Sequence, residues 1–580
     1  MSSPARSSDV ERIYAELARE WAARDLSSNA FVTRIAHNIT ALRALYKKEP
    51  SLFPPPVVDA LRTMSAAIAA ASISDSPQET PAATSLQNLL KRTFGFDSFR
   101  PGQEAIIAAV LSNRDCLGVM PTGAGKSLTY QLPARVLGKT TLVLSPLVAL
   151  MKDQVDAMNA VGIRATALNS TLTYEDKRER IEQLRRGEFE IVYVAPEGLE
   201  ASSGNAVAGL PLALIAVDEA HCISQWGHDF RPAYRNLVGL KERFGHVPIL
   251  ALTATATPEV MRDIVTQLGM RNPLVERGSF FRKNLRIASY KKGGDGVPAV
   301  REAIRRLVAA RKGESGIVYC LSRKSTEATA DYLRENGIRA VAYHAGLEAT
   351  NRATSQDAFR CDDVDVVVAT VAFGMGVDKP NVRYVIHRDM PRSIEGYYQE
   401  IGRAGRDGHP SDCIAFYSWA DVMSFDRFDD EAPKEIAEKN RAQTRELFAL
   451  LDGMQCRHQA LVRYLGDRIE PCGSSCDRCG AFDPLAKAAS SKKSAAPKVA
   501  PTKRDSDAPR ESALFLELRA LRKRLADKRK VPAYLVFSDA TLFAMAEERP
   551  RTLDAMLRIS GVGPKKLAEY GETFLAVILG

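Results

Sequence analysis

The chain has 580 residues, 45% of them apolar and 26% charged, with a formal net charge of +10 and a pI near 9.0. That length holds three to four domains at about 100–200 residues each, and the basic balance favours a polyanionic partner. No run approaches the ~18 consecutive apolar residues of a membrane span. The acidic N-terminus (Asp9, Glu11, Glu16, Glu20) has no apolar signal core, so a cytoplasmic, non-membrane chain is expected.

Residues 1–75 read as a helical N-terminal extension. Ile13, Leu17 and Trp21 share one helical face, Phe31, Ile35, Ile39 and Leu42 another, and Pro54-Pro55-Pro56 opens a further helix. Nothing in this stretch points to a chemistry, so an interaction module for a protein partner is the first expectation. Residues 72–83, rich in Ser and Pro, are a linker.

Two blocks of alternating strands and helices follow, residues 84–277 and 278–420. Buried-strand runs occur at 141–144, 190–194, 214–217 and 249–252 in the first, and at 315–319, 340–343, 364–369 and 383–386 in the second. Each block is therefore expected to be a doubly wound α/β domain with a parallel sheet. Only the first carries a phosphate-cradling loop, Met120-Pro121-Thr122-Gly123-Ala124-Gly125-Lys126-Ser127. Thr122, Gly123 and Gly125 let backbone N–H groups converge on phosphate, Lys126 adds a point charge, and the Ser127 hydroxyl can ligate Mg²⁺. The strict pattern has Gly where Met120 stands, and the flanking strand and helix pattern restores the match.

Downstream, Asp218-Glu219-Ala220-His221 follows the apolar run 212–217. Carboxylates at a strand end can hold Mg²⁺ (Asp218) and polarise a water (Glu219). The two elements together indicate an ATP-driven enzyme. In the second block the turn Gly402-Arg403-Ala404-Gly405-Arg406 brings two guanidinium groups to a loop where backbone can approach a ligand closely. Placed across the cleft from the phosphate loop, Arg403 and Arg406 would stabilise charge in the transition state.

Cys456, Cys472, Cys476 and Cys479 form the one cysteine cluster among nine cysteines. Four thiolates can hold a structural Zn²⁺ tetrahedrally, in a helical subdomain at 421–480. Residues 457–464 read as a helix carrying the first ligand. Residues 481–510, rich in Ala, Ser, Lys and Pro, read as a basic disordered linker. Residues 511–580 read as helical, with Leu514, Leu518, Leu521 and Leu525 on one stripe.

Over residues ~84–480 the chain resembles the RecQ family of superfamily 2 DNA helicases. The motifs that carry the resemblance are Phe94 to Gln103, the phosphate loop, Ser145-Pro146-Leu147, the acidic box, and Thr253-Ala254-Thr255-Ala256-Thr257. They continue with Gly374 to Pro380 and the Gln399 to Gly408 turn, and the family-specific signature is Gln225-Trp226-Gly227-His228-Asp229-Phe230-Arg231-Pro232. The resemblance implies two tandem RecA-like domains and an ATP- and Mg²⁺-dependent helicase moving 3′→5′ in DNA repair, recombination and replication. It further implies that Gln103 reads the adenine edge with help from Arg100, and that Phe96 offers the base a face. His221, Gly376 and Asp378 would complete the nucleotide site. Trp226, Phe230 and Arg231 would couple that site to single-stranded or branched DNA.

Residues 511–580 resemble the small helical HRDC domain, where the Gly561-Val562-Gly563 turn with Lys565 and Lys566 would meet DNA phosphate. The span from Cys479 to Glu511 is too short for the winged-helix module many members carry, since small domains need about 50 residues. A translocase that separates few strands, a non-enzymatic zinc-containing DNA-binding scaffold and an RNA helicase stay open as alternatives at this level.

Overall fold

The computed structural model describes residues 83–580 except 147, 170–171, 200–206, 208, 225–230, 246, 371–372, 374–378, 431–432, 481, 491–511 and 530. Before residue 83 it describes 18, 21, 46, 53–54, 57–58, 60–61 and 64. The chain divides into two compact units, Met1–Ala82 and Ala83–Gly580. In the first, Phe53, Val57, Leu61 and Met64 are buried at helical spacing, and the Tyr46 ring meets Phe53 edge-on at 5.3 Å. The two helical faces expected at 13–21 and 31–42, apart from Trp21, and the linker at 72–82 lie outside the described residues.

The second unit opens with helix α1 (Ala83–Phe94) and α2 (Gln103–Leu111). A seven-stranded sheet follows, with strands β1 (Cys116–Val119), β2 (Thr140–Leu144), β3 (Ala165–Leu168), β4 (Ile191–Val194), β5 (Leu212–Val217), β6 (Ile249–Thr253) and β7 (Leu274–Arg277). Its order is β3-β4-β2-β5-β6-β1-β7, and the paired strands run parallel. The strands leading to the phosphate loop and the acidic box, β1 and β5, are almost wholly buried. This is the reason they read as continuous apolar runs rather than as alternating ones.

The chain then crosses to a six-stranded parallel sheet. Its strands are β8 (Leu285–Lys291), β9 (Ser315–Tyr319), β10 (Ala340–Tyr343), β11 (Val366–Ala369), β12 (Val382–His387) and β13 (Ser411–Tyr417). The order is β10-β11-β9-β12-β13-β8. Helix α3 (Leu128–Leu137) leaves the phosphate loop, and α4 (Ile394–Ile401) leads into the arginine turn. Two α/β domains with parallel sheets are thus present.

Beyond the second sheet lie α5 (Lys434–Asp452) and α6 (Arg457–Tyr464), with the cysteine cluster at the start of α6 and in the loop after it. The stretch expected to be a disordered linker contains a helix, α7 (Pro484–Ser490). Leu485 is buried there against the second domain, and Tyr290 Oη donates to Asp483 at 2.7 Å. Its Pro-Leu-Ala-Lys-Ala-Ala core is a good helix former with a Pro start, which composition alone concealed. Residues 491–511 lie outside the described residues.

The C-terminal domain contains α8 (Ala513–Arg529), α9 (Asp539–Glu548) and α10 (Pro564–Leu579). Leu518 and Leu521 are buried as the stripe requires, and Phe515 joins them, stacked on Phe543 at 3.9 Å. Arg522, 1% exposed, pairs with Asp539 at 2.7 Å and donates to the Phe537 carbonyl at 2.9 Å. Burial opposes ionisation of Asp539, but Arg522 foremost holds its carboxyl at about 2. The folded value lies below the unfolded one, so this pair's contribution is complete above ordinary carboxylate pH and is lost as pH falls through about 2. Arg522→Met strands a buried carboxylate and is expected to cost this domain about 3–5 kcal/mol. Hydrogen exchange over residues 513–579 in the intact protein measures it, and unchanged protection would contradict the assignment.

Candidate active site

Parallel strands place the loops after β1, β5 and β6 at one edge of the first sheet, the usual ligand edge of such a fold. The phosphate loop begins where Met120 N–H donates to the Thr253 carbonyl at 3.0 Å. Gly123 and Gly125 both have positive φ, 81° and 80°. A Cβ on Gly125 would stand 2.6 Å from the Gln103 amide nitrogen. Gln103 is buried, donates to the Ala124 and Gly125 carbonyls at 3.1 and 2.9 Å, and accepts from Arg100 N–H at 2.8 Å. Arg100 itself donates to the Gly123 carbonyl. Both side chains expected to read adenine thus brace the phosphate loop in this structure, while Phe96, 43% exposed, keeps a face in the cleft. Lys126 Nζ lies 3.3 Å from the Met120 carbonyl, and Ser127 stands immediately before α3.

Asp218 follows β5 and is fixed by its own backbone. Its N–H donates to the Leu144 carbonyl at 2.8 Å, and its carbonyl accepts from Tyr234 Oη at 2.7 Å. Tyr234 is fully buried beneath the acidic box. Glu219 sits at φ 49°, a left-handed conformation that aims it away from the strand direction. His221 Nδ1 is 3.0 Å from Thr253 Oγ1 and 3.4 Å from Glu219 Oε2. The Thr253 hydroxyl gives its single proton to the Thr255 carbonyl at 2.9 Å, so its oxygen accepts from His221 Nδ1–H. This chain of contacts ties the acidic box to the threonine motif after β6.

Across the cleft, α4 delivers the arginine turn. His387 on β12 meets Glu400 at 2.7 Å and stacks on Tyr319, which fixes the end of α4. Arg383 pairs with Asp407 on the far side of the turn. The turn abuts the phosphate loop: a Cβ on Gly402 would fall 1.8 Å from Thr122 Oγ1, so a side chain there would have to displace Thr122. Thr122, Gly123, Gly125, Lys126, Ser127, Asp218, Glu219, His221, Arg231, Arg403 and Arg406 all line one cleft of about 680 Å³ with Phe96, Arg100 and Gln103. The sequence candidates Gly376, Asp378, Trp226 and Phe230 lie outside the described residues. Arg231 reaches the Pro146 carbonyl at 3.4 Å.

The cleft has a further wall that sequence reading did not anticipate. Ser538, Thr541, Ser560 and Gly561 of the C-terminal domain line it too. Gly561 N–H, expected to meet phosphate, donates instead to the Gly95 carbonyl at 2.9 Å. Lys565 Nζ donates to the Asn159 carbonyl at 2.9 Å, and Lys566 lies 5.8 Å from the Phe537 ring centre. On the second α/β domain, Lys523 pairs with Asp363 at 2.9 Å and His409 packs on Phe543. The described part of the C-terminal domain is therefore seated against both α/β domains.

The cysteine cluster is the second site. The sulfurs of Cys456, Cys472, Cys476 and Cys479 all lie within 4.8 Å of one another. Cys456 is the N-cap of α6 rather than a residue within it. Burial alone would raise its thiol, but the Cys472 and Gln459 N–H groups point at the sulfur and bring it below the ordinary thiol value. That donor set suits a thiolate ligand at Cys456, and four sulfurs this close can close a structural zinc site with no open position. The spacer Gly473-Ser474-Ser475 between the second and third cysteines lies against the sheet edge, where the Ser475 carbonyl accepts Ile287 N–H at 3.0 Å. By contrast, burial pushes the Cys116 and Cys320 thiols up to about 12, which marks them as inert core.

Two parallel-sheet domains facing one phosphate loop, with arginines opposed across the cleft and a four-thiolate zinc subdomain attached, define a nucleotide-driven molecular motor. Four family models match the chain: DEAD/DEAH box helicase over 100–264, Helicase conserved C-terminal domain over 299–408, RecQ zinc-binding over 419–480, and HRDC domain over 511–578. The ATP-dependent DNA helicase RecQ of Pasteurella multocida (strain Pm70) is 37% identical over 604 residues, spanning 86% of this chain and 94% of that protein. The namesake from Haemophilus influenzae is 38% identical, spanning 86% and 96%, and that from Bacillus subtilis is 35% identical, spanning 85% and 98%. The chain belongs to the RecQ family of ATP-dependent DNA helicases. Its cofactors are ATP with Mg²⁺, and structural zinc, which the four-cysteine cluster suits.

Proposed function

We propose that the chain couples ATP hydrolysis to 3′→5′ movement on DNA and to opening of the duplex. The observation that carries this reading is the single cleft in which Lys126, Asp218 and Glu219 of one domain face Arg403 and Arg406 of the other. Lys126 and Ser127 hold the phosphates and the metal ion, and Asp218 positions that ion. Glu219 orients the attacking water, with His221 linking it to Thr253. Arg403 and Arg406 spread developing charge as the domains close. Gly376 and Asp378 are assigned to the same nucleotide site. Phe96 stacks on the base, and Gln103 and Arg100 set the loop that receives it.

The loop bearing Trp226, Phe230 and Arg231 follows the acidic box directly, so DNA stacked on its aromatics would report to Glu219 through a short length of chain. Trp226→Ala is accordingly expected to leave basal ATP turnover near normal and to remove most of its stimulation by single-stranded DNA. Undiminished stimulation would place those rings in the core instead. Stimulation by RNA exceeding that by DNA would favour an RNA helicase.

The seat of Lys565 on Asn159 gives the C-terminal domain a role at the motor first. Lys565 and Lys566 reach DNA phosphate in this reading only where it lies beside that seat, on branched substrates. The partners are single-stranded and branched DNA, with residues 1–75 available to a protein partner. Among the described residues no helix is long and apolar enough to cross a membrane.

A further inference from the structure

Between β7 and β8 the chain passes once from the first sheet to the second, through Gly278 to Asn284. This crossing is wired at both ends. Gly278 N–H donates to the Val119 carbonyl at 2.9 Å, beside the start of the phosphate loop. Asn284 Nδ2 donates to the Gly405 carbonyl at 2.8 Å, inside the arginine turn, and Tyr398 Oη on α4 donates to the Phe280 carbonyl at 2.8 Å.

Arg282 stands in the middle, and its four hydrogen-bond acceptors are all backbone carbonyls. One guanidinium nitrogen donates to Thr122 of the phosphate loop at 3.3 Å and to Gly402 at 3.0 Å. The other donates to Ala404 at 2.9 Å and Gly405 at 2.6 Å. Those three turn residues bracket Arg403 and immediately precede Arg406.

A guanidinium is a rigid planar fork, so two sets of carbonyls held by one fork keep a fixed mutual geometry. Burial pulls the Arg282 pKa down, and Arg406 and Arg100 nearby act in the same direction. A cation is therefore kept at a place with no carboxylate among its hydrogen-bond partners and with like charges close by. Simple ion-pair stabilisation does not account for that, whereas fixing the spacing of two catalytic loops does.

We propose that Arg282 is the positioning residue that sets Arg403 and Arg406 against the phosphate loop, and that its bond to Thr122 is the contact made and broken as the two domains close and open. It touches no reacting atom and acts through the turn. The inference rests on the reading of Arg403 and Arg406 given above.

The test is a kinetic cycle on the full-length, zinc-loaded protein at saturating single-stranded DNA. It compares Arg282→Ala, Arg406→Ala and the double variant, reading kcat and KM for ATP and the affinity for a fluorescent ADP analogue. Arg282→Ala is expected to lower kcat by about tenfold or more, with KM and nucleotide affinity moving by less than about threefold. In the Arg406→Ala background the same change is expected to lower the residual kcat by clearly less than in the intact chain, because part of its effect runs through Arg406 and only the part through Arg403 remains.

Arg282→Lys, which keeps the charge but cannot bridge both carbonyl sets, is expected to stay impaired, and it carries the same cycle if the alanine variant does not fold. Normal kcat in Arg282→Ala, a rise in KM alone, full activity of Arg282→Lys, or a fully multiplicative loss in the double variant would each overturn the proposal. Normal turnover by Arg406→Ala would instead remove the reading beneath it.

Discussion

Lys126→Ala is expected to lower ATP turnover by about a hundredfold or more while binding of single-stranded DNA persists. The Lys126 ammonium sits in the phosphate loop beside the Met120 carbonyl, in the nucleotide cleft. Removing it deletes the point charge assigned above to the nucleotide phosphates and leaves any DNA surface intact. Glu219→Gln is its complement. Glu219 is held by its left-handed backbone near His221, and the amide keeps the shape but cannot take a proton from water. Nucleotide affinity is therefore expected to survive while turnover is lost. Steady-state ATPase beside DNA binding by anisotropy checks both, and substantial hydrolysis by either variant would contradict the site.

The second large effect is on folding. Metal analysis is expected to return one zinc per chain, and Cys476→Ser or Cys479→Ser to reduce the yield of folded protein more than the kcat of what folds. The binding free energy of structural zinc, about 10–16 kcal/mol in small zinc peptides, is folding free energy. Here it also anchors a sheet edge, since the Ile287 N–H donates to the Ser475 carbonyl and the Asp477 N–H to the Ile287 carbonyl at 2.9 Å. Fully buried Arg457 then pairs with Asp477. Purified protein with no zinc and normal yield would refute this. A fall in kcat matching the fall in yield would place the metal in the chemistry instead.

The strands flanking the phosphate loop and the acidic box were legible because burial on both sides demands continuous apolar runs. Others were hidden by composition. β13 carries Ser411 and Asp412 inside a fully buried strand, tolerated because Asp412 pairs with Arg286 and Arg311. β3 is four residues of Ala, Thr, Ala and Leu, too short and too plain to show a pattern. The α7 helix was masked by the Ala- and Lys-rich stretch around it.

Within the site, the residues with motif chemistry were legible, and those that hold them in place were not. Tyr234, His387, Glu400 and Arg282 act through contacts with carbonyls or rings distant in sequence, and no local spacing encodes such contacts. The seat of the C-terminal domain was missed for the same reason. The Gly561-Val562-Gly563 turn reads equally well for a phosphate or for the Gly95 carbonyl it meets.

The most direct measurement is release of a labelled strand from duplex DNA bearing a 3′ single-stranded tail, with ATP and Mg²⁺, by the intact chain and by Lys126→Ala. The account predicts ATP-dependent strand release by the intact chain, none by the variant, and little from the same duplex with a 5′ tail. DNA-stimulated ATP hydrolysis without strand release from either tail would contradict it and leave a translocase that does not unwind.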